Sequence, residues 1–432
     1  MAKGDLKMIL NLKEKLKKHY LFAVYLVVAS GILIGLIEGF NIKYSYWVIF
    51  YYLLPLIVFY SLIQFWFAKR NYGEKLQLKL KNVDLTNKFS TQQILIAFVA
   101  IIVLTLIVHI IILKGLPGFE ALTEFNHRNL VYIRRGVTSK LPVWFKYIYS
   151  FVLKGIIPMG LLLAYHFKNK RVFIILSLIA LVYGINGMQK GHFLTFYGPT
   201  LILLLVNKSY KRALILGAYI FSCLVLLVFI ANPGLKYTLM KHFMTVKLPK
   251  EVSKEVLLDD GGEGGEGIVK ANKKAVNSLY LRTFYLPGAT VGRWFEAVPK
   301  KKPYLYGKGY KLYAKITGQK YHDYGAELYG VIYPSYVKRG FVGRVNVASF
   351  MYDYVNFKQW GLLYSALGMA LLISVISLLY HGDFKMMVVL NTIPVLYLSS
   401  TNYTTLLFSG GWFLIICIYL LFLRNYKPKH EH

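Results

Sequence analysis

The chain has 432 residues, 56% of them apolar, with a formal net charge of +33 and a mean hydropathy of +0.47. A soluble protein of that length would divide into two or three domains with polar surfaces, which this hydropathy excludes. The charge does not point to nucleic acid, because the basic residues are spread over many loops and no zinc or helix-turn-helix pattern accompanies them.

The apolar residues come in long blocks of roughly 18–22, enough to span about 30 Å of hydrocarbon at 1.5 Å per residue. The first twenty residues, MAKGDLKMILNLKEKLKKHY, are lysine-rich and lack the short apolar run and small-residue cleavage site of a removable signal peptide. They read as a cytoplasmic, amphipathic lead-in. Ten spans follow, at 20–40, 46–68, 93–114, 143–166, 171–187, 192–207, 212–231, 359–380, 386–403 and 404–423. The fold class expected is therefore all-α and polytopic, with about ten membrane helices. Cys223 and Cys417 both sit inside apolar blocks and read as core residues, not as a disulfide or metal site.

Orientation follows from the short loops. With the N-terminus inside, Lys69–Lys88, Lys168–Arg171, Lys208–Arg212, His381–Lys385 and Arg424–Lys429 are inside as well, and each carries lysine or arginine. Both termini are then cytoplasmic, and 115–142 and 232–358 are extracytoplasmic. This divides the chain into an N-terminal bundle (1–231), a large outer loop (232–358) and a C-terminal bundle (359–432). In the large loop basic residues outnumber acids about two to one. The run Asp259 to Gly267, DDGGEGGEG, has no apolar content and reads as a flexible tether. Residues 280–358 read as folded, helical-hairpin material lying over the membrane.

The soluble catalytic motifs are absent: there is no P-loop, Rossmann glycine fingerprint, HExxH or GxSxG, and no Cys/His set at metal spacing. No cofactor or metal is expected. What stands out is arginine on the outer side. Gly115-Leu-Pro-Gly-Phe119 is followed by Arg128, Arg134 and Arg135, and Arg282-Thr-Phe-Tyr-Leu-Pro-Gly288 is followed by Arg293, Arg339 and Arg344. An arginine fork matches phosphate oxygens in a way that lysine does not, and converging forks would stabilise charge on a departing diphosphate. The competing account is a set of surface arginines paired with Glu120, Glu124 or Glu296. Lys190, at the hinge Gly187-Met-Gln-Lys-Gly-His192, and Lys154, inside the fourth span, are charges at membrane depth or its rim, either functional or snorkelling.

A sugar hydroxyl acting as nucleophile would want a base, and His322, Asp323 and Asp353 are candidates, each equally readable as a structural hydrogen-bonding residue. Tyrosine is abundant, at 36 residues, which interfacial belts explain. The Tyr304–Tyr336 cluster could also line a saccharide groove.

The chain resembles the Wzy-type oligosaccharide repeat-unit polymerases of O-antigen and capsule pathways. The likeness is one of hydropathy layout over most of the chain. In motifs it rests on the GLPGF turn with Arg128 and Gly136 downstream, the RTFYLPG segment with Pro303-Tyr-Leu-Tyr-Gly307, and the run Gly343-Arg-Val-Asn-Val-Ala-Ser-Phe-Met-Tyr-Asp-Tyr354 before the eighth span. Two departures stand out. Lys190 replaces the family's hinge arginine, and Asn356-Phe-Lys-Gln-Trp-Gly361 replaces its Asp-Phe-Gly.

The resemblance implies a GT-C-like, metal-independent glycosyltransferase of the bacterial cytoplasmic (inner) membrane. It would transfer a glycan chain from polyprenyl diphosphate onto a lipid-linked repeat unit at the outer face. Its partners would be the polyprenyl-diphosphate-linked oligosaccharide, membrane lipid and a chain-length regulator. On that expectation Arg128, Arg135, Arg282, Arg339 and Arg344 grip the diphosphates, while Lys190, His192, Arg134, Arg293, Asn346 and Tyr354 complete the substrate surface. The alternatives are an O-antigen ligase-like enzyme, which shares the donor, and a flippase for lipid-linked sugars. No clear two-fold internal similarity favours the latter.

Overall fold

The computed structural model describes residues 17–80, 83, 85, 88–236, 285–338 and 342–424; the side chains of His127, Arg128 and Tyr336 lie outside what it describes. Arg282, Arg339 and the 259–267 tether lie outside the described residues. Among the described residues the structure is helical with no strand. In chain order the helices are α1 (Tyr20–Gly39), α2 (Ile42–Lys69), α3 (Tyr72–Leu80), α4 (Thr91–Leu113), α5 (Pro117–Thr123), α6 (His127–Ser139), α7 (Val143–His166), α8 (Lys170–Gly187) and α9 (Lys190–Val206). They continue with α10 (Tyr210–Ala231), α11 (Leu286–Ala297), α12 (Lys311–Ile316), α13 (Tyr324–Ile332), α14 (Pro334–Lys338), α15 (Ser349–Leu379), α16 (Phe384–Tyr397), α17 (Tyr403–Leu407) and α18 (Trp412–Phe422).

Seven of these, α1, α2, α4, α7, α8, α10 and α15, are long and apolar enough to cross a membrane. Three more, α9, α16 and α18, are apolar but shorter. These ten coincide with the ten blocks expected from hydropathy. The ninth and tenth differ in extent. Instead of one boundary at 403/404, a turn stands at Ser399–Asn402, where the Asn402 side chain accepts from the Thr404 amide at 2.9 Å, and α18 starts only after Gly411 at φ 77°. Polar side chains that serve their own backbone compete with helix at such places.

The helices group by contact, not by chain order, into two compact units. One draws on 1–82 with 268–406, the other on 83–267 with 407–432.

In the first unit α11 lies along α1 with almost no side chain between them. A Cβ on Gly288 would meet Ile32 O at 2.3 Å and Leu36 N at 2.4 Å, and one on Gly292 would meet the Phe40 ring at 2.3 Å. Small residues let helix backbones approach this closely, and in lipid such packing carries association without a hydrophobic drive. Pro287 opens the same helix, where its missing N–H leaves no intrahelical bond unmade.

The second unit repeats this device. Pro117 opens α5, and a Cβ on Gly118 would meet Ile185 O at 2.3 Å on α8. A buried network holds the junction. The Gly118 amide donates to Asn186 Oδ1 at 3.1 Å, Asn186 Nδ2 lies 3.1 Å from His109 Nδ1, and His109 Nε2 lies 3.2 Å from Val137 O on α6. Lys236, fully buried, donates to the carbonyls of Ala121 and Glu124 at the end of α5 and lies over the Phe125 ring. An ammonium there satisfies carbonyls that the helix end leaves open.

Gly288→Ala is expected to lower the stability of the purified protein by about 1–3 kcal/mol, because backbone, not a movable side chain, blocks the methyl. Gly217 of α10 has nothing within 4 Å of its would-be Cβ. Gly217→Ala should be neutral or stabilising by up to about 1 kcal/mol. Equal melting shifts for the two variants would refute this packing account.

Candidate active site

Helix α15 is broken near its start. Phe357 (φ −134°, ψ 22°) and Lys358 (φ 60°, ψ −144°) leave helical geometry, so a short segment, Ser349–Asn356, meets the long remainder at an angle. The break frees backbone carbonyls, and the loop after Pro303 serves them. The Leu305 amide donates to Val355 O and the Tyr306 amide to Asn356 O, each at 2.9 Å. Asn356 completes the join: its Oδ1 accepts from the amides of Gly307 (3.1 Å) and Gly309 (3.0 Å), and its Nδ2 donates to Tyr352 O at 2.7 Å. Gly361 lets the long half pass close by, since a Cβ there would lie 2.0 Å from Asp353 O.

Asp353 sits at this junction and is 4% exposed. Tyr310, from the docked loop, donates its hydroxyl to Asp353 Oδ1. The second oxygen, Oδ2, is buried with no hydrogen-bond partner. Ser365 and the phenols of Tyr52 and Tyr403 surround the carboxylate, and Tyr52 is itself hydrogen-bonded to Tyr25. Burial, and after it the same carboxylate, pushes the Tyr310 phenol well above its ordinary value, so Tyr310 stays a donor.

An aromatic floor adjoins the junction. Tyr354, fully buried, shares a hydrogen bond with Tyr304 (3.1 Å), donates to Val298 O (3.2 Å) and stacks edge-on to Phe295 at 4.6 Å. Tyr306 is 56% exposed, and the ammonium of exposed Lys358 lies 5.5 Å from the Tyr304 ring and 5.7 Å from that of Tyr306. Rings and a cation arranged this way suit a sugar face carrying negative charge nearby.

The other two candidate bases are already engaged. Asp323 forms a two-pronged pair with Arg344 (2.7 and 2.9 Å) and caps α13 by accepting from the Ala326 amide. His322 Nδ1 lies 2.9 Å from Glu327 Oε1, and Lys302 reaches Glu327 Oε2 at 3.3 Å. Arg344, expected to grip diphosphate, therefore has its fork on a carboxylate of its own chain. Arg293, half-buried, lies over the Tyr333 ring at 5.3 Å, and Asn346 is exposed.

The remaining expected residues belong to the second unit. Arg134 is exposed and Arg135 half-buried on α6, with no acidic partner among the described residues, and Arg128 lies on the same helix. Lys190 is exposed at the start of α9. His192, two residues on, is buried; it stacks on Phe196, and its Nδ1 has no partner. It lies within electrostatic reach of Lys154, which sits in the π-turn Val152–Ile156 of α7. Among the described residues no group of three or more His, Cys, Asp or Glu side chains could hold a metal.

Asn356 and Lys358 went unread in the sequence as site residues, and Tyr310 was read only within the Tyr304–Tyr336 cluster. The one local signal was Asn356 and Gly361 interrupting an otherwise helical run.

No protein-family model matches this chain, and neither does any curated protein or solved structure.

Burial alone would raise the Glu327 carboxyl, but the hydrogen bonds from His322 and Lys302, with their charges, win and hold it below the usual carboxylate range. A depressed folded-state value stabilises above the unfolded value and is lost as pH falls through the folded one. Glu327→Gln should thus lower stability at neutral pH by up to about 1 kcal/mol, given the partial exposure of these groups. The gap should close as pH falls below the ordinary carboxylate range. Thermal melts across that window check it; a gap that persists in acid would mean lost packing, not lost charge.

Proposed function

We propose that the chain is a membrane glycosyltransferase that polymerises lipid-linked oligosaccharide repeat units at the outer face of a bacterial cytoplasmic membrane, with both termini inside. The observation that carries this reading is the Asp353 carboxylate: buried, held on one oxygen by Tyr310, and unpartnered on the other, beside a floor of tyrosines. A buried carboxylate costs stability unless its lone pairs are met, so an oxygen left open suits a proton acceptor better than a structural group.

In the proposed reaction a hydroxyl of the acceptor sugar attacks the anomeric carbon of the donor glycan. The new bond forms from the hydroxyl oxygen. The bond from the anomeric carbon to the diphosphate oxygen breaks, and its electron pair leaves on the polyprenyl diphosphate. Asp353 Oδ2 takes the hydroxyl proton. Tyr304 and Tyr306 stack on sugar, and Lys358 neutralises nearby phosphate. The diphosphate-gripping role expected of Arg282 and Arg339 is kept in this proposal. Arg344 becomes a positioning residue, which ties 342–348 to α13 through Asp323 and alongside the Val345 amide bond to Gly325 O (2.7 Å).

Asp353→Asn keeps the shape and the acceptor for Tyr310 but removes the base. With purified protein and lipid-linked repeat unit, it is expected to cut the rate of polymer-ladder formation by about 10²–10⁴-fold while the melting temperature holds or rises. Tyr310→Phe, which leaves the acid in place, should lose far less. A ladder of normal rate and length from Asp353→Asn would end the assignment.

A further inference from the structure

A cleft opens in the unit formed by 83–267 with 407–432, lined by no residue of the candidate site described above. It is a cleft of about 920 Å³ among the end of α7, the start of α8, the end of α9 and the start of α10. Its size lies within the range of sites that hold small organic ligands, roughly 300–1,000 Å³.

The lining is layered along the helix axes. Lys168, Lys170 and Arg212 stand at the mouth. One turn further in the walls are Phe173, Leu203 and Leu216, and the floor is made by Ser177, Thr200 and Tyr219. Lys170 to Ser177 is seven residues of helix, so the cleft runs about 10 Å deep. Its outer edge carries Ile174, Leu178 and Ile215, which are 58%, 60% and 62% exposed; the cleft is therefore open sideways, along a face of spanning helices.

Three further features narrow what fits. No lining residue is acidic, so the basic mouth has no counter-charge of its own. Two helices begin and two end at this level, so their dipoles largely cancel and the positive field comes from the side chains. At the floor, Thr200 Oγ1 and Ser177 Oγ are buried with no hydrogen-bond partner, and Thr200 is 0% exposed. A small soluble anion would satisfy the mouth alone. A zwitterionic lipid would fill the walls but gain little from three cations.

We infer that this cleft is a binding site for a single anionic diacyl phospholipid of the surrounding bilayer. Its phosphate sits among Lys168, Lys170 and Arg212, its ester carbonyls accept from the Ser177 and Thr200 hydroxyls, and its chains lie against Ile174, Leu178 and Ile215. Basic pockets between membrane helices recognise lipid headgroups by this combination of charge and lateral access.

The test uses the full chain, purified in detergent, titrated with phosphatidylglycerol or phosphatidylcholine and read by native mass spectrometry. One tightly retained phosphatidylglycerol and no comparable phosphatidylcholine is the expected result. Each basic charge near a headgroup contributes about fivefold in affinity, so Lys168→Gln with Lys170→Gln and Arg212→Gln should weaken retention by about a hundredfold. Leu178→Trp, which narrows the lateral opening and leaves all charges in place, should weaken it too. It decides the matter if the triple variant fails to fold. Inorganic phosphate in excess should not displace the lipid. Equal retention of both lipids, an unchanged triple or Leu178→Trp variant, or displacement by free phosphate would each overturn the assignment.

Discussion

The first unit depends on how one broken helix satisfies its own backbone. Inside a bilayer an unpaired carbonyl costs several kcal/mol, so a spanning helix can break only where protein meets the freed groups. At Phe357–Lys358 that service comes from one loop, through the Leu305 and Tyr306 amides, with Asn356 turned back to bind Gly307 and Gly309. The join fixes several things together. It brings Tyr310 onto Asp353, sets the Tyr304–Tyr354 pair, and requires glycine at 361, where any side chain would collide with Asp353 O. The arrangement at the candidate site is thus a by-product of backbone pairing: the loop that must be present to close the break also delivers the groups around the carboxylate.

The two Leu-Pro-Gly runs follow a related logic. Each starts a helix with proline and sets a glycine on the backbone of a spanning helix, Gly118 on Ile185 and Gly288 on Ile32 and Leu36. These runs belong to two of the three motifs on which the resemblance to a polymerase family rests. Their physical content is packing: they seat amphipathic helices on the bundle with backbone-to-backbone contact. Where polar groups are trapped in that contact they are matched, as in the chain from Gly118 through Asn186 and His109 to Val137 O.

The ten apolar blocks were legible because hydropathy over some twenty residues sums many small signals of one sign. The ends of α16 and α18 were less so, because Asn402 and Gly411 act through single turns that a window average dilutes. The site was legible in residue type but not in partnership. Asp323, His322 and Asp353 look alike in sequence, as carboxylates or imidazole among tyrosines. Only the fold shows that Arg344 takes the first and Glu327 the second, leaving the third with a free oxygen. Arginine is a poor witness for the same reason: the fork that suits phosphate suits a carboxylate equally, and an Asp323 twenty-one residues upstream is invisible to local pattern.

The contrast between Asp353 and its neighbours also bears on why a carboxylate stands there at all. If position 353 only had to accept from Tyr310, asparagine would do so without burying a charge, and replacing buried ionic groups by neutral ones of similar shape is commonly neutral or stabilising. Asp323 and Glu327 are no parallel, since both are partly exposed and answered by cations. Among the described residues no cation answers the carboxylate at 353 and it is almost wholly shielded from water; Tyr310 donates to one oxygen, and the hydroxyls of Ser365, Tyr52 and Tyr403 lie around it. Hydroxyls can donate to an anion or accept from an acid, so this shell tolerates either charge state. A structural carboxylate has no use for that tolerance, whereas the proton acceptor proposed at Asp353 requires it.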